Sequence, residues 1–419
     1  MTRPSAPALA AGLVLLAARL SASPTPPAAP GRVILAPDRV LDGRGAVLEG
    51  ARVEVAGESI VGVFTGATDE TADERLELAG LTLLPGLVDT HVHIDWHFDA
   101  DGRTHSDASD ESEAERLAYA LENAYRTVMG GVTTVQSLGA GIDLELREVL
   151  ARGVLPGPRM LTSVESLFAS SGNPEELAAA VRRLAGEGAD VIKLFASASI
   201  RDGGTPTMSP EQLDAACGEA RRLGLRTAVH AHGPESARRA VEAGCTSIEH
   251  GALLDRETLE LLGRRGVYYD PNIDLVMRNY FENRERFLGI GNYTEEGFAK
   301  MRAAVPLALQ AFRTALDVPG LKIVFGTDAV AGAHGRNVEE LVYRIETGGQ
   351  PVLDAVTSAT SLAAESLGLG GRLGAVAPGL EADLIGVDGN PLEDPGALLR
   401  VVFVMRAGRV VRAPPAPRP

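Results

Sequence analysis

The stretch "LPGLVDTHVHIDWHF", residues 84–98, holds three of the eight histidines in this 419-residue chain. Residues 86–93 read as a β-strand, and the i, i+2 spacing of His91 and His93 puts both imidazoles on one side of it. Two adjacent imidazoles are costly to bury unless they share a cation. The plainer alternative is a His-rich polar loop, and the rest of the chain decides between the two. His97 lies further on, with His105, in the acidic segment "DWHFDADGRTHSD", and both read as surface or gate residues.

Downstream, the pattern alternates. Strand-like runs cover 86–93, 132–138, 158–163, 190–196, 226–232, 246–251, 267–272 and 322–329. Helix-like stretches separate most of them, at 111–131, 173–189, 209–225 and 235–244, several opening with Asn-Pro or Ser-Pro cap chemistry. Eight strands alternating with helices predict a parallel (β/α)8 TIM-like barrel over 85–369. The long segment 273–319 predicts extra helices between strands seven and eight, where a lid or oligomer contact could sit. Residues 32–84 and 370–413 are instead short β-like runs broken by Gly and Asp, predicting a small composite β-sandwich built from both ends of the chain.

Composition narrows the partners. A net charge of −16 argues against nucleic acid and against an anionic membrane surface. The apolar run near the start is too short to span a bilayer, so residues 1–23 read as a secretory signal peptide and 24–31 as a Pro-rich linker. This predicts an exported protein with no stable membrane span. Cys217 and Cys245 sit in no metal-binding spacing and read as small buried hydrophobes; a disulfide between them is geometrically open.

In a barrel of this kind, chemistry sits at the C-terminal strand ends. There the reading places His91 and His93 (strand one), Lys193 (four), His230 and His232 (five), His250 (six) and Asp328 (eight). Each has a plain alternative. A lone inward His can be a satisfied core residue, and Asp328 in "FGTDA" can cap a helix. Lys193 can pair with a carboxylate, or exist neutral or as an anionic carbamate able to bridge two metals.

In order, "LPGLVDTHVH", "DVIKLF", "VHAHG", "SIEHG" and "FGTDA" resemble the amidohydrolase superfamily, over about residues 31–413. The pieces "SPEQLDAACGEARRLGL", "AGCTSIEHGALLD" and "HGRNVEEL" resemble its imidazolonepropionase-like and Xaa-Pro dipeptidase-like branch. The resemblance implies two divalent ions, with Zn²⁺ suited to the ligands. His91 and His93 would bind the more buried ion, carboxylated Lys193 would bridge, and His230 and His250 would complete the second site. Asp328 would touch the first metal and shuttle protons. His232, His334 and Trp96 are the candidate substrate contacts, and Asp89 a support for a ligand. The expected activity is hydrolysis of C–N amide bonds in dipeptides or N-acyl amino acids, on small-molecule substrates, by a homo-oligomer. A lactonase, carbamate or phosphotriester hydrolase is the alternative, and a cationic group placed for a carboxylate would favour peptides.

Overall fold

The computed structural model describes residues 31–66, 72–105 and 110–413. The signal peptide and all but the last residue of the linker lie outside the described residues. Numbering only the parallel strands that follow the first flank, the chain forms β1 (Leu87–Val92), β2 (Val132–Ser137), β3 (Arg159–Thr162), β4 (Val191–Phe195), β5 (Arg226–Ala231), β6 (Ser247–His250), β7 (Tyr268–Asp270) and β8 (Lys322–Ile323). β1–β3 make one parallel sheet. β4–β8, with the two-residue strand Ser166–Leu167, make a second. Between the sheets, Thr90 N–H donates to Phe325 O (2.9 Å), Asp328 N–H to His91 O (2.8 Å), and Asp190 N–H to Thr162 O (2.8 Å).

The period of two along these strands separates two environments. On β4, Ile192 and Leu194 join the apolar layer beneath the surrounding helices, and Lys193 between them points to the other side. β5 and β6 repeat this with Val229 beside His230 and Ile248 beside Glu249. The helices covering that layer start as the cap residues dictate. Ser112, Asn173 and Ser209 each form a reciprocal capping box at the heads of Glu113–Met129, Pro174–Glu187 and Pro210–Arg222.

Two expectations are revised, and one left open is decided. The expected strand 322–329 is regular only at Lys322–Ile323, because Gly326 sits where a Cβ would lie 1.9 Å from Asp270 Oδ2 and Asp328 takes a left-handed φ of 52°. Its backbone bonds to β1 instead of continuing a regular ladder. In the flanks, the described strands form one eight-stranded sheet, in which Arg32–Leu41 runs parallel to Glu74–Pro85 and Leu384–Asp388 from the other end joins it. A second, facing sheet is not seen among the described residues. Register shifts, as between Pro37 and Arg39, bend the long strands of this sheet, and Leu35, Val53, Leu83 and Phe403 pack in one cluster. Finally, Cys217 and Cys245 are buried and also joined by a disulfide, tying the helix Pro210–Arg222 to the entry of β6.

Between β7 and β8 the chain adds helices Leu275–Glu282, Arg284–Phe287 and Glu295–Leu316. Their small core holds Tyr280, Phe287, Tyr293 and Phe298. Buried Glu340 receives the N–H groups of Ile273, Asp274 and Leu275 (2.8–2.9 Å), capping the first of these helices.

Candidate metal centre

Strand alternation delivers Asp89, His91 and His93 to one side of β1. His91 is fully buried, with its Nδ1 2.9 Å from Glu249 Oε2 on β6. A carboxylate there makes Nδ1 the N–H, so the Nε2 lone pair faces the interior. That Nε2 lies 3.3 Å from Lys193 Nζ and 3.5 Å from Asp328 Oδ1, while His93 Nε2 lies 3.1 Å from the same oxygen. The donor atoms of His91, His93 and Asp328 all fall within 4.8 Å of one another. His230 and His250 stack edge to face with ring centroids 4.6 Å apart, and His250 stands 5.1 Å from His91.

Backbone strain helps to aim these groups. His250 and Asp328 hold φ of 67° and 52°, and Asn272, at the end of β7, 43°. Such conformations cost on the order of 1–3 kcal/mol each and persist where the surroundings enforce them. At β6 the effect is visible: neighbours Glu249 and His250 should face opposite ways, yet both approach His91, because the left-handed turn at His250 breaks the alternation. At Asp328 the enforcing residue is Asp89. Its carboxylate accepts from Thr327 N–H (3.0 Å), Thr327 Oγ1 (2.6 Å) and Asn337 Nδ2 (2.7 Å), pinning the backbone just before Asp328.

Burial sets the protonation. It drives His91, His230 and His250 well below the usual imidazole range, helped by nearby Lys193. Burial, then Arg201, brings His232 to about 3. Burial also lowers Lys193, and among the described residues no carboxylate pairs with it at ion-pair distance. For Asp328 burial pulls upward, but His91, His93 and Lys193 outweigh it and hold the carboxyl at about 2. The result is that His91, His230, His232 and His250 are neutral and face one carboxylate, Asp328, around a cavity of about 120 Å³. His230 Nε2 and His232 Nδ1 are buried without a hydrogen-bond partner. Orphaned imidazole nitrogens and converging nitrogen and oxygen donors are surroundings that could hold a divalent cation.

Not every expected residue meets here. His232 and Trp96 line the cavity, Trp96 with its ring 5.3 Å from His93. His334 does not. It is buried behind the wall, where its Nε2–H donates to Trp96 O (3.1 Å), so it supports the Trp96 loop and does not face a substrate. His97 is no surface residue: it is 4% exposed and meets Glu111. Sequence reasoning missed Glu249, Asp270, Phe195 and Arg201. Glu249 was hidden by alternation, which sends the residue before an inward His250 outward; only the left-handed turn at His250 lets both face His91. Asp270, which accepts from Thr90 Oγ1 (2.7 Å) and lies beside buried Arg344, ends a strand. Arg201, on a loop turn after β4, had no periodic signal.

The family model described as the amidohydrolase family matches residues 82–411. The chain belongs to the amidohydrolase family. It is an enzyme, a hydrolase acting on carbon–nitrogen bonds. Ochratoxinase of Aspergillus niger is 28% identical over 429 aligned positions, covering 90% of this chain and 85% of that protein. A Xaa-Pro dipeptidase solved with bound methionine superposes with a TM-score of 0.82 at 30% identity, over 91% of this chain and all of that one. A prolidase complexed with N-methylphosphonate-L-proline gives 0.80 at 26%, with the same coverage. Among the described residues no helix is long and apolar enough to cross a membrane.

Proposed function

We propose that this hydrolase cleaves the amide bond of dipeptides or N-acyl amino acids, substrates with a free carboxylate close to the scissile nitrogen. The observation that carries the reading is Arg201. Its guanidinium lines the same cavity as His91, Lys193 and Asp328, stacks 4.1 Å from the Tyr293 ring centroid, and donates through Nε to Asn292 Oδ1 (2.7 Å). Among the described residues no carboxylate pairs with it at ion-pair distance. A half-buried guanidinium without a counter-ion keeps part of its desolvation cost, and a substrate carboxylate would offset it in bidentate geometry. Methionine and N-methylphosphonate-L-proline, the ligands of two relatives, each carry a free carboxylate.

The donor set suits two divalent cations, Zn²⁺ foremost. His91, His93 and Asp328 would hold one, His230 and His250 the other, with Lys193 between them. When bound, such ions polarise a scissile carbonyl and acidify water. The protein's own residues do the rest. Asp328, ionised at neutral pH, accepts a proton from the attacking water and passes it to the departing nitrogen. Neutral His232 keeps one ring N–H for the carbonyl oxygen as charge develops there. Trp96 and Phe195 wall the cavity against bulk water. Burial favours the neutral Lys193 amine, whose lone pair adds to CO₂ with loss of one proton to give the carbamate.

The same reading takes the two parallel sheets as one (β/α)8 barrel over 85–369, joined where residues 325–329 bond to β1 and where Asp190 bonds to β3. It takes 32–84 and 370–413 as the companion β-domain. Export through residues 1–23 is supported by the Cys217–Cys245 disulfide, a bond that persists in oxidising compartments.

The test is amine release from a panel of dipeptides and N-acyl amino acids, with their C-terminal amides alongside and Asp328→Asn protein as the blank. Release that needs the free carboxylate, and whose KM rises about 10- to 100-fold in Arg201→Met with kcat little changed, is expected. Turnover of lactones or phosphotriesters alone, by protein that holds metal, would sink the proposal.

A further inference from the structure

The loop beyond β1 gathers a second set of donor atoms outside the cavity. His97 Nδ1 lies 2.6 Å from the backbone oxygen of Asp95. A carbonyl carries no proton, so Nδ1 is the N–H, and the ring's available lone pair is that of Nε2, turned the other way. That lone pair faces Glu111, with both carboxylate oxygens 3.1 Å away. His105 Nδ1 reaches the same carboxylate at 2.6 Å. A lone pair aimed at a carboxylate is repulsive unless something positive lies between them. Water is poorly placed to relieve it: His97 is 4% exposed, and the Glu111 side chain 8%. The ring plane is fixed as well, since His97 stacks on Tyr119 at 4.2 Å and on His105 at 4.8 Å.

From this we infer that His97, His105 and Glu111 form a metal site of their own, separate from the strand-end centre and selective for a divalent transition cation such as Zn²⁺. The three donor atoms lie within 4.8 Å of one another. An Nδ1–H bonded to a backbone carbonyl, with Nε2 free, is how ligating histidines are commonly oriented. Bond lengths of about 2.0–2.2 Å set donors about 3.3 Å apart in tetrahedral geometry. To admit the ion, His97 and Glu111 need to open from 3.1 Å by a few tenths of an ångström, and His105 and Glu111 from 2.6 Å by about 0.7 Å. Three protein donors leave one position to water, which makes the ion exchangeable. Its effect is to clamp the loop carrying Trp96 to Glu111, two residues before the helix Glu113–Met129. The inference does not depend on which bond the enzyme cleaves.

The competing occupant is a proton, which would leave a His97 imidazolium paired with Glu111. Zinc counting separates the two. Metal-stripped full-length protein is titrated with Zn²⁺ alone, and bound zinc is measured by elemental analysis after gel filtration. Wild type is expected to hold one molar equivalent more than Glu111→Gln and than His105→Ala. Asp328→Asn should keep that equivalent whatever it loses at the strand ends. Glu111→Gln preserves shape and folding even where His105→Ala does not, as circular dichroism will show. Equal zinc in wild type and folded Glu111→Gln would overturn the site and assign the space to the proton. The readout is metal content, so a failed substrate panel leaves it intact.

Discussion

Two histidine sets lie four residues apart at their nearest members, His93 and His97, and they are built in opposite ways. The inner set is assembled from five strand ends, and its members are separated by up to 237 positions, from His91 to Asp328. The outer set is local in sequence: His97, His105 and Glu111 lie within 15 consecutive positions, just ahead of the helix Glu113–Met129. In the inner set His91 Nδ1 is held by a carboxylate, Glu249. In the outer set the equivalent nitrogen of His97 is held by a main-chain oxygen. Strand ends fix donors relative to one another through the whole sheet; a loop fixes them only as well as its own contacts do. Chemistry that needs a rigid constellation therefore belongs to the inner set, and a clamp to the outer one.

The largest effect expected from this difference is kinetic. Asp328→Asn keeps the left-handed backbone, since Asn tolerates positive φ, but removes the proton acceptor. Turnover should fall about a thousandfold at unchanged thermal midpoint. His105→Ala should leave kcat within about twofold. A similar loss in both variants would mean that the outer loop takes part in the reaction, and the contrast would be gone.

A smaller effect tests the orienting carboxylate. Glu249→Gln keeps an acceptor for His91 Nδ1–H but removes its charge, and should weaken Zn²⁺ binding at the inner site by about 10- to 100-fold. Competition with a chromophoric chelator measures it. An unchanged affinity would show that the strand alone orients His91.

Legibility in the sequence followed the same line. Alternating strands and helices, and histidines two apart on β1 and β5, are local patterns, so the parallel strands and most of the inner set could be read directly. What failed was anything decided by a bend or by a partner far away. The left-handed turns at His250 and Asp328 have no periodic trace, so Glu249 went unread beside His250. The bent flank sheet depends on register shifts that alternation alone does not reveal. His334 sits in a glycine-rich run next to the mouth, and only the tertiary contact with the Trp96 carbonyl shows that it faces away from the cavity. Arg201 became meaningful only once Tyr280 and Tyr293 arrived from the insertion after β7.

His334 also supplies the smallest expected effect, one that probes the seam between the two sets. Burial holds its imidazole down at about 3, only partly offset by its bond to Trp96 O. Folded protein therefore keeps His334 neutral through a range where the unfolded chain protonates it, near the ordinary 6.5. Between those values the unfolded state binds more protons, so stability falls as pH drops from about 6.5 toward 3 and is fully present above 6.5. One such group contributes a slope of about 1.4 kcal/mol per pH unit within that window. His334→Gln keeps a donor for Trp96 O and carries no titrating proton. Urea midpoints at pH 7 and pH 5 should differ less in this variant than in wild type, with a small loss at pH 7 from imperfect packing. An identical pH dependence in the two proteins would show that Trp96 and its loop do not rest on a neutral His334, and that the inner and outer sets are mechanically independent at this point.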